Sequence, residues 1–400
     1  MKKLFLNLTP VLIIGFLFSA FSLFSQNSST SHIFQYSNKE LNTITTAIPF
    51  LMIAPDARAG GLGDAGVAST PDANSIHWNP AKLAFIQKDI GFSVSYSPWL
   101  RALVNDINLA YLSGYKKFGK DQAIAASLLY FSLGDITFTD IVGNTIGQFR
   151  PSEFAVDVCY SRKLSEKFSG GVSLRYIHSN LTGGYFVGGA ESHPGNSIAT
   201  DVSTYYETEF DLGQTPSKLG LGLNISNIGS KISYTETTER DFIPINLRIG
   251  PALTLDLDDY NQIAVMLDIN KLLVPTPPVY DSVGGILAGK DPDVSVVSGM
   301  FQSFGDAPGG FKEEMREFTI STGVEYWYDK QFAIRAGFFY EDKTKGNRKF
   351  FTLGAGLKYN VFGLDFAYLI PIEQRNPLEN TLRFTLLFDF DAFKDQNKTE

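Results

Sequence analysis

The sequence predicts an all-β chain: a transmembrane antiparallel β-barrel of about fourteen strands, with an N-terminal plug in its lumen. Three observations predict it. Segments close to the roughly 9–11 residues of a tilted spanning strand recur along the chain, apolar on one face and polar on the other. The connections between them alternate short and long. A glycine-rich stretch ahead of the first strand follows neither a period of 2 nor one of 3.6.

In chain order the segments centre on 90–96, 107–115, 123–133, 154–160, 168–177, 202–212, 219–225, 245–257, 263–272, 318–328, 332–340, 351–359, 362–370 and 382–390. In the first, Ile90, Phe92, Val94 and Tyr96 alternate with Gly91, Ser93 and Ser95. Late in the chain, Phe318, Ile320, Val324, Tyr326 and Tyr328 share one face, with Thr319, Ser321, Gly323 and Glu325 on the other. In the last, Leu382, Phe384, Leu386, Phe388 and Phe390 oppose Arg383, Thr385 and Asp389. A soluble sandwich would alternate as well, so the connections decide. Those at 116–120, 163–167, 213–217, 258–260, 329–330 and 360–361 are short; those at 134–152, 180–200, 229–242, 271–316, 341–349 and 371–379 are long. Outer-membrane barrels sort their loops this way, with periplasmic turns short and extracellular loops long. The even strand count agrees with that class.

Composition sets the bounds. Of the 400 residues, 19% are charged and 14% aromatic, with 36 glycines, a mix suited to a lipid-facing skin with aromatic girdles. The net charge of −8 argues against a nucleic-acid partner. Cys159 is the single cysteine, so no intrachain disulfide is possible. It shares a strand face with Asp157 and Ser161 and has no His or Cys close in sequence, which predicts a quiet, buried thiol. The histidines His32, His77, His178 and His193 show no metal-ligand spacing, and no cofactor is expected.

The ends read as targeting and lead-in segments. Lys2 and Lys3 precede the apolar run 4–24, and Ser25 ahead of Gln26 offers a cleavage point, so 1–25 is expected to be a signal peptide. Residues 26–88 are expected to form the lead-in and plug, 89–393 the barrel, and 394–400 a polar tail. Phe388, Phe390 and Phe393 resemble a terminal barrel-assembly signal, although the charged tail follows them.

The plug stretch from Pro55 to Ala84 reads PDARAGGLGDAGVASTPDANSIHWNPAKLA. Gly61, Gly63 and Gly66 fit G-x-G-x-x-G, yet that nucleotide fingerprint needs a buried strand before it and a helix after it. Here Pro55, Asp56 and Arg58 stand before it. The glycines Gly60, Gly61, Gly63 and Gly66 are therefore expected to be steric, allowing tight turns and close packing in a narrow lumen. Together with Trp78, Asn79, Pro80 and Ala81, the Pro55–Ala68 run resembles the N-terminal region of FadL-like outer-membrane barrels. More narrowly, the run and the layout of the whole mature chain resemble the PorV family of the type IX secretion system.

Three groups of residues could carry chemistry. Asp201, Ser203, Tyr205, Glu207, Glu209 and Asp211 fall on one face of one strand, near Arg175, Lys218 and Arg248. A paired-carboxylate site or an ion path would need such a row, and so would a lumen salt-bridge lattice, the expected default of such barrels. His178 with Ser179 could suggest a hydrolytic site, but no G-x-S-x-G exists and no enzyme is expected. The connection 271–316 is unusually long for a loop and rich in apolar residues, among them Ile286, Leu287, Val294, Val296, Val297, Met300, Phe301 and Phe304. Such a segment either folds over the barrel mouth or meets a partner.

The resemblance implies a non-enzymatic outer-membrane component, set among outer-membrane lipid and beside the outer-membrane translocon. It would bind secreted cargo by its C-terminal signal domain and deliver it to the sortase-like PorU. The alternative is a FadL-like porter that binds a hydrophobic small molecule under the loops and passes it through a shifting plug.

Overall fold

A computed structural model describes residues 41–390, apart from 102, 103, 105, 140, 141, 185, 188, 189, 236–239, 374 and 375. The expected signal peptide, most of the lead-in, His32, Phe393 and the polar tail lie outside the described residues.

Fourteen strands close into one antiparallel barrel. They are β1 (Ile90–Pro98), β2 (Asn108–Phe118), β3 (Gln122–Ser132), β4 (Ser152–Lys163), β5 (Phe168–Asn180), β6 (Gly195–Leu212), β7 (Thr215–Gly229), β8 (Asn246–Asp256), β9 (Asn261–Leu272), β10 (Thr319–Tyr328), β11 (Phe332–Tyr340), β12 (Lys349–Tyr359), β13 (Phe362–Pro371) and β14 (Leu382–Asp389). Each pairs with its sequence neighbours, and β1 closes on β14 from Gly91↔Asp389 to Tyr96↔Phe384. Closure leaves no free edge, as a wall in hydrocarbon requires. Among the described residues no helix is long and apolar enough to cross a membrane; the crossing elements are strands.

Side-chain alternation sets the two faces. On β1 the serines Ser93, Ser95 and Ser97 are buried, while Val94 and Tyr96 face outward and are exposed. The same parity holds around the wall: Leu112, Leu128, Val158, Leu174, Ile334, Leu353 and Leu364 look out, where lipid would cover them. Inward positions are small or polar, which leaves room for a chain inside.

The structure corrects one expected boundary and adds detail at two other places. The loop expected at 180–200 spans only 181–194, because 195–200 pair with β5. The connection after β3 contains a two-stranded hairpin, Ile136–Thr139 with Thr145–Phe149. The stretch ahead of β1, expected to be neither a plain strand nor a plain helix, is built of short turns. It holds 3₁₀ turns at Pro49–Met52 and Pro80–Phe85 and two single-turn helices, α1 (Ala57–Gly60) and α2 (Ser75–Trp78). Each is too short to show a hydrophobic period.

Candidate functional site: the inner segment and the extracellular cap

Residues 42–88, the inner segment, run from the long-loop rim to the short-turn rim. At one end the Asn42 N–H donates to Thr344 O at 3.1 Å and its amide to Pro277 O at 3.0 Å. At the other, Lys117 Nζ at the end of β2 donates to Ile86 O at 2.6 Å. Between them the chain has almost no ladder of its own, so its backbone groups need other partners. The wall supplies them. Ala57 N–H donates to Thr385 Oγ1 (2.8 Å), Gly63 N–H to Thr352 Oγ1 (2.9 Å), and Gly66 and Val67 N–H to Asp268 Oδ2 (2.8 and 2.9 Å). Asn224 donates to Trp78 O (3.1 Å), and Ser169 to Ala81 O (2.7 Å). These wall residues sit on six different strands, β5, β7, β9, β12, β14 and, through Ser203 to Ala81 N–H, β6.

The motif residues tie the segment to itself. Asp56, after Pro55, caps α1 through Ala59 N–H and accepts from Trp78 Nε1 at 2.6 Å, joining the two halves of the motif. Asn79 caps the turn that Pro80 opens, and its amide donates to Val67 O and Thr204 O. Arg58 bridges Asp72 at 2.9 Å and Glu325 at 2.8 Å; Arg335 binds the same Glu325 at 2.7 Å and Asp365 at 2.6 Å. Gly63 has φ +69°, and a Cβ there would lie 2.6 Å from the backbone of Phe338. A Cβ on Gly66 would lie 2.5 Å from the Trp78 ring, and one on Gly60 equally close to Arg383. Gly61 lies against Gly354. The N–H groups a phosphate would need at Gly63 and Gly66 are already taken by the wall.

The acidic row divides. Asp201 sits at a β-bulge between Thr200 and Val202 and accepts from Asn227 N–H at 2.8 Å. Arg175 lies 2.5 Å from Asp157 and 3.2 Å from Asp201. Glu207 pairs with Lys218 at 3.0 Å. Glu209 and Asp211 do not belong to the lumen. At 18 residues β6 runs past the end of β5, whose pairing stops at Tyr206, and its last residues, 209–212, are exposed while still paired with β7. Arg248 lies over the Trp78 ring and bonds Asn270. His178 and Ser179 point to opposite faces, His178 to Asn196 on the outside and Ser179 to Glu153 inside, so they form no pair. His77 packs edge-on against Trp78 and Tyr111. Cys159 is buried.

The long connection after β9 folds into a cap. It carries a short ribbon (Val279–Tyr280 with Ile286–Ala288), α3 (Val296–Gln302) and α4 (Phe311–Glu314). A buried charge cluster latches it down. Lys271 Nζ lies 2.5 Å from Glu317 and 3.3 Å from Glu314, and Lys345 lies 2.7 Å from Glu313 and 3.1 Å from Glu317. Glu314 also accepts from Asp306 and Ala307 N–H, and the Asn42 amide reaches Glu313 at 3.0 Å. On α3 the helical period sorts the apolar residues. Val296 and Met300 pack down on the core beside Phe242, and Gly299 lets that ring approach. Val297 and Phe301 turn out, Phe301 being 78% exposed. Leu287 and Phe304 are also exposed, as is Ile286 at the ribbon, whereas Val294 is half-buried. The sequence reading missed Val283 and Phe311, 91% and 80% exposed, and Met315. Phe311 and Met315 are separated by one helical turn, a spacing that could have drawn notice.

Residues 36–279, more than half of the chain, match the model of the type IX secretion system protein PorV. The chain belongs to the PorV family. It is therefore an outer-membrane component of the type IX secretion system, and the PorV family is not an enzyme family. Its short turns face the periplasm and the cap faces the cell exterior. No curated protein matches the chain. Among solved structures, a mutant of the TodX monoaromatic hydrocarbon channel is 13% identical, covering 83% of this chain and 96% of that one, with a TM-score of 0.46. The toluene transporter TbuX of Ralstonia pickettii is 11% identical over 84% and 98%, TM-score 0.42. A Pseudomonas aeruginosa FadL homologue is 12% identical over 88% and 100%, TM-score 0.41. Likenesses this distant carry no argument about what the PorV-family chain handles.

Proposed function

We propose that the chain is the cargo-handling member of the secretion system. It binds the C-terminal signal domain of secreted proteins as they leave the translocon and hands them to the sortase-like PorU, with the inner segment closing the lumen as a plug and no catalysis of its own. The observation that carries this reading is the cap, a surface latched by buried ion pairs that exposes several aromatic and aliphatic side chains. A specific interface buries roughly 800 Å² per partner around apolar anchors, and Phe301, Phe311, Leu287 and Val297 supply such anchors. A folded cargo domain cannot enter a lumen filled as tightly as this one, so docking belongs outside. The test is co-purification. Replacing Phe301 and Phe311 with Asp leaves the barrel assembled and lowers recovery of cargo domain or PorU. Normal recovery with normal surface attachment sinks the cap as the docking site.

One observation favours the porter as a second reading. A cavity of about 340 Å³ lies under the extracellular loops, walled by Trp78, Trp99, Phe339 and Phe350. Arg383 lines it, bonded to Asp64 at 2.8 Å, but its Nε and second amino group make no hydrogen bond. An amphiphilic anion would satisfy both surfaces. Co-purified small amphiphiles released by Arg383→Met, with secretion intact, would favour this reading over cargo handling.

A further inference from the structure

The lipid-facing wall has a hollow that neither reading above uses. In the outward row, Gly114 on β2 stands opposite Ala126 on β3, where the rows on either side hold Leu112 opposite Leu128 and Lys116 opposite Ile124. Phe92 and Val158 occupy the same row on β1 and β4. The two small residues thus floor an almost wholly apolar groove of about 600 Å³.

The groove is held open. Phe92 stacks on Phe388 at 4.5 Å between centroids and lies 5.4 Å from Phe390, which fixes its ring on the β14 side. The Lys116 ammonium leans the other way, 5.5 Å from the Phe118 ring at the periplasmic rim. The backbone does not require glycine at 114. A Cβ there would meet its nearest atoms at 3.4 Å, ordinary contact, and φ is not positive. The hollow is a gap among side chains, not the by-product of a turn.

Its occupant is set by its two ends. The floor lies at the level of the wall that faces hydrocarbon, and the periplasmic end opens at Lys116. Arg162, exposed on the same outer face one row nearer that rim, pairs in register with Gln122. We propose that the groove seats one acyl chain of an anionic glycerophospholipid of the periplasmic leaflet, with the phosphate between Lys116 and Arg162. An exposed apolar slot retains a chain through contact area, and cations at the headgroup level select the charge.

The test measures phospholipid retained by the full chain after extraction in a mild detergent, by mass spectrometry. The wild-type barrel should keep a bound phospholipid. Gly114→Leu with Ala126→Leu should lower it about tenfold, since the filling side chains displace the chain's contacts, while heat-modifiable migration stays normal. Lys116→Gln with Arg162→Gln should keep the lipid count but remove the preference for phosphatidylglycerol over phosphatidylcholine on exchange with vesicles. Retention no higher in wild type than in the filled variant overturns the proposal. So does a photo-crosslinker at Val158, in the otherwise native chain, that traps protein instead of lipid; trapping of phospholipid supports it even if the filled variant fails to assemble.

Discussion

The inner segment and the cap are both held to the same wall by buried polar groups, yet they end with opposite surfaces. The inner segment spends its apolar residues inward: Ile48, Leu62, Val67, Ile76 and Leu83 are buried, and its backbone is matched group by group to Thr385, Thr352, Asp268 and Ser203. The cap fixes its position through Lys271, Lys345 and three glutamates and leaves Leu287, Phe301 and Phe311 in the open. A segment that only fills space has no reason to expose aromatics. A segment that holds its fold with ion pairs can present them, because its stability does not depend on burying them. Asn42 joins the two regions, since it begins the inner segment and bonds to Glu313 of the cap.

The comparison breaks most sharply at Gly63. Its positive φ and the 2.6 Å approach to Phe338 mean that Gly63→Val adds backbone strain and overlap together, about 3 kcal/mol or more. We expect little heat-modifiable barrel in the membrane fraction and intact transcript. Normal assembly would mean that the inner segment can leave the lumen and that its packing is optional.

Next in size is the latch. Lys271→Met leaves Glu314 buried without its cation and Glu317 with Lys345 alone, a loss of about 3–5 kcal/mol confined to the cap. The barrel should still migrate as folded, while protease added to whole cells cuts between 273 and 318. Adding Glu317→Gln should restore part of the protection. A cap equally resistant in the single variant would show that apolar packing by Val296 and Met300, not charge, holds it.

Most of the wall was legible because a period of 2 and the loop lengths are local properties. All fourteen segments, from 90–96 to 382–390, coincide with strands. The inner segment's composition was legible as glycine-driven packing, but its partners were not. Nothing near Asp268 in sequence says that its carboxylate accepts from Gly66 and Val67, some 200 residues earlier. Strand ends were blurred for a related reason. Polar alternation continues through Glu209 and Asp211 whether or not membrane surrounds them, so the sequence assigned them to the lumen. In the cap, counting apolar residues marked a segment without separating the side chains that pack down from those that stay exposed. Val296 and Val297 are neighbours in sequence, yet one packs down and the other is exposed, and Val283 and Phe311 have no adjacent apolar side chain to mark them.

The exposed face of the cap predicts a different kind of loss. Phe301→Asp and Phe311→Asp remove no buried contact, so barrel stability should stay within about 0.5 kcal/mol. Binding of an isolated cargo signal domain to the purified protein should weaken by about 2 kcal/mol or more if either ring is a central anchor. Titration by calorimetry or interferometry reads the difference. Undiminished binding moves docking to another extracellular loop, such as 181–194.

The smallest expected effect is a pH dependence of the latch. Burial pushes the Glu313 carboxyl up, but the Lys345 ammonium and the Gly309 N–H outweigh it and hold Glu313 below the usual carboxylate range. A carboxyl depressed in the folded cap contributes stability that is present above its unfolded value, near 4.5, and is lost as pH falls through the lower folded value. Asp306 in the same latch runs the opposite way. Burial raises its carboxyl, so its contribution is full at low pH and declines as pH rises through that raised value. The two partly cancel, so wild-type cap proteolysis should quicken only modestly as pH is taken below about 4.5, the unfolded glutamate range. Glu313→Gln removes the limb that weakens on acidification. Its cap should open slightly more easily at neutral pH, and acid should loosen it less than the wild-type cap. If Glu313→Gln keeps the wild-type profile, the Lys345–Glu313 contact does not hold the cap, and the latch rests on the lysine contacts of Glu314 and Glu317.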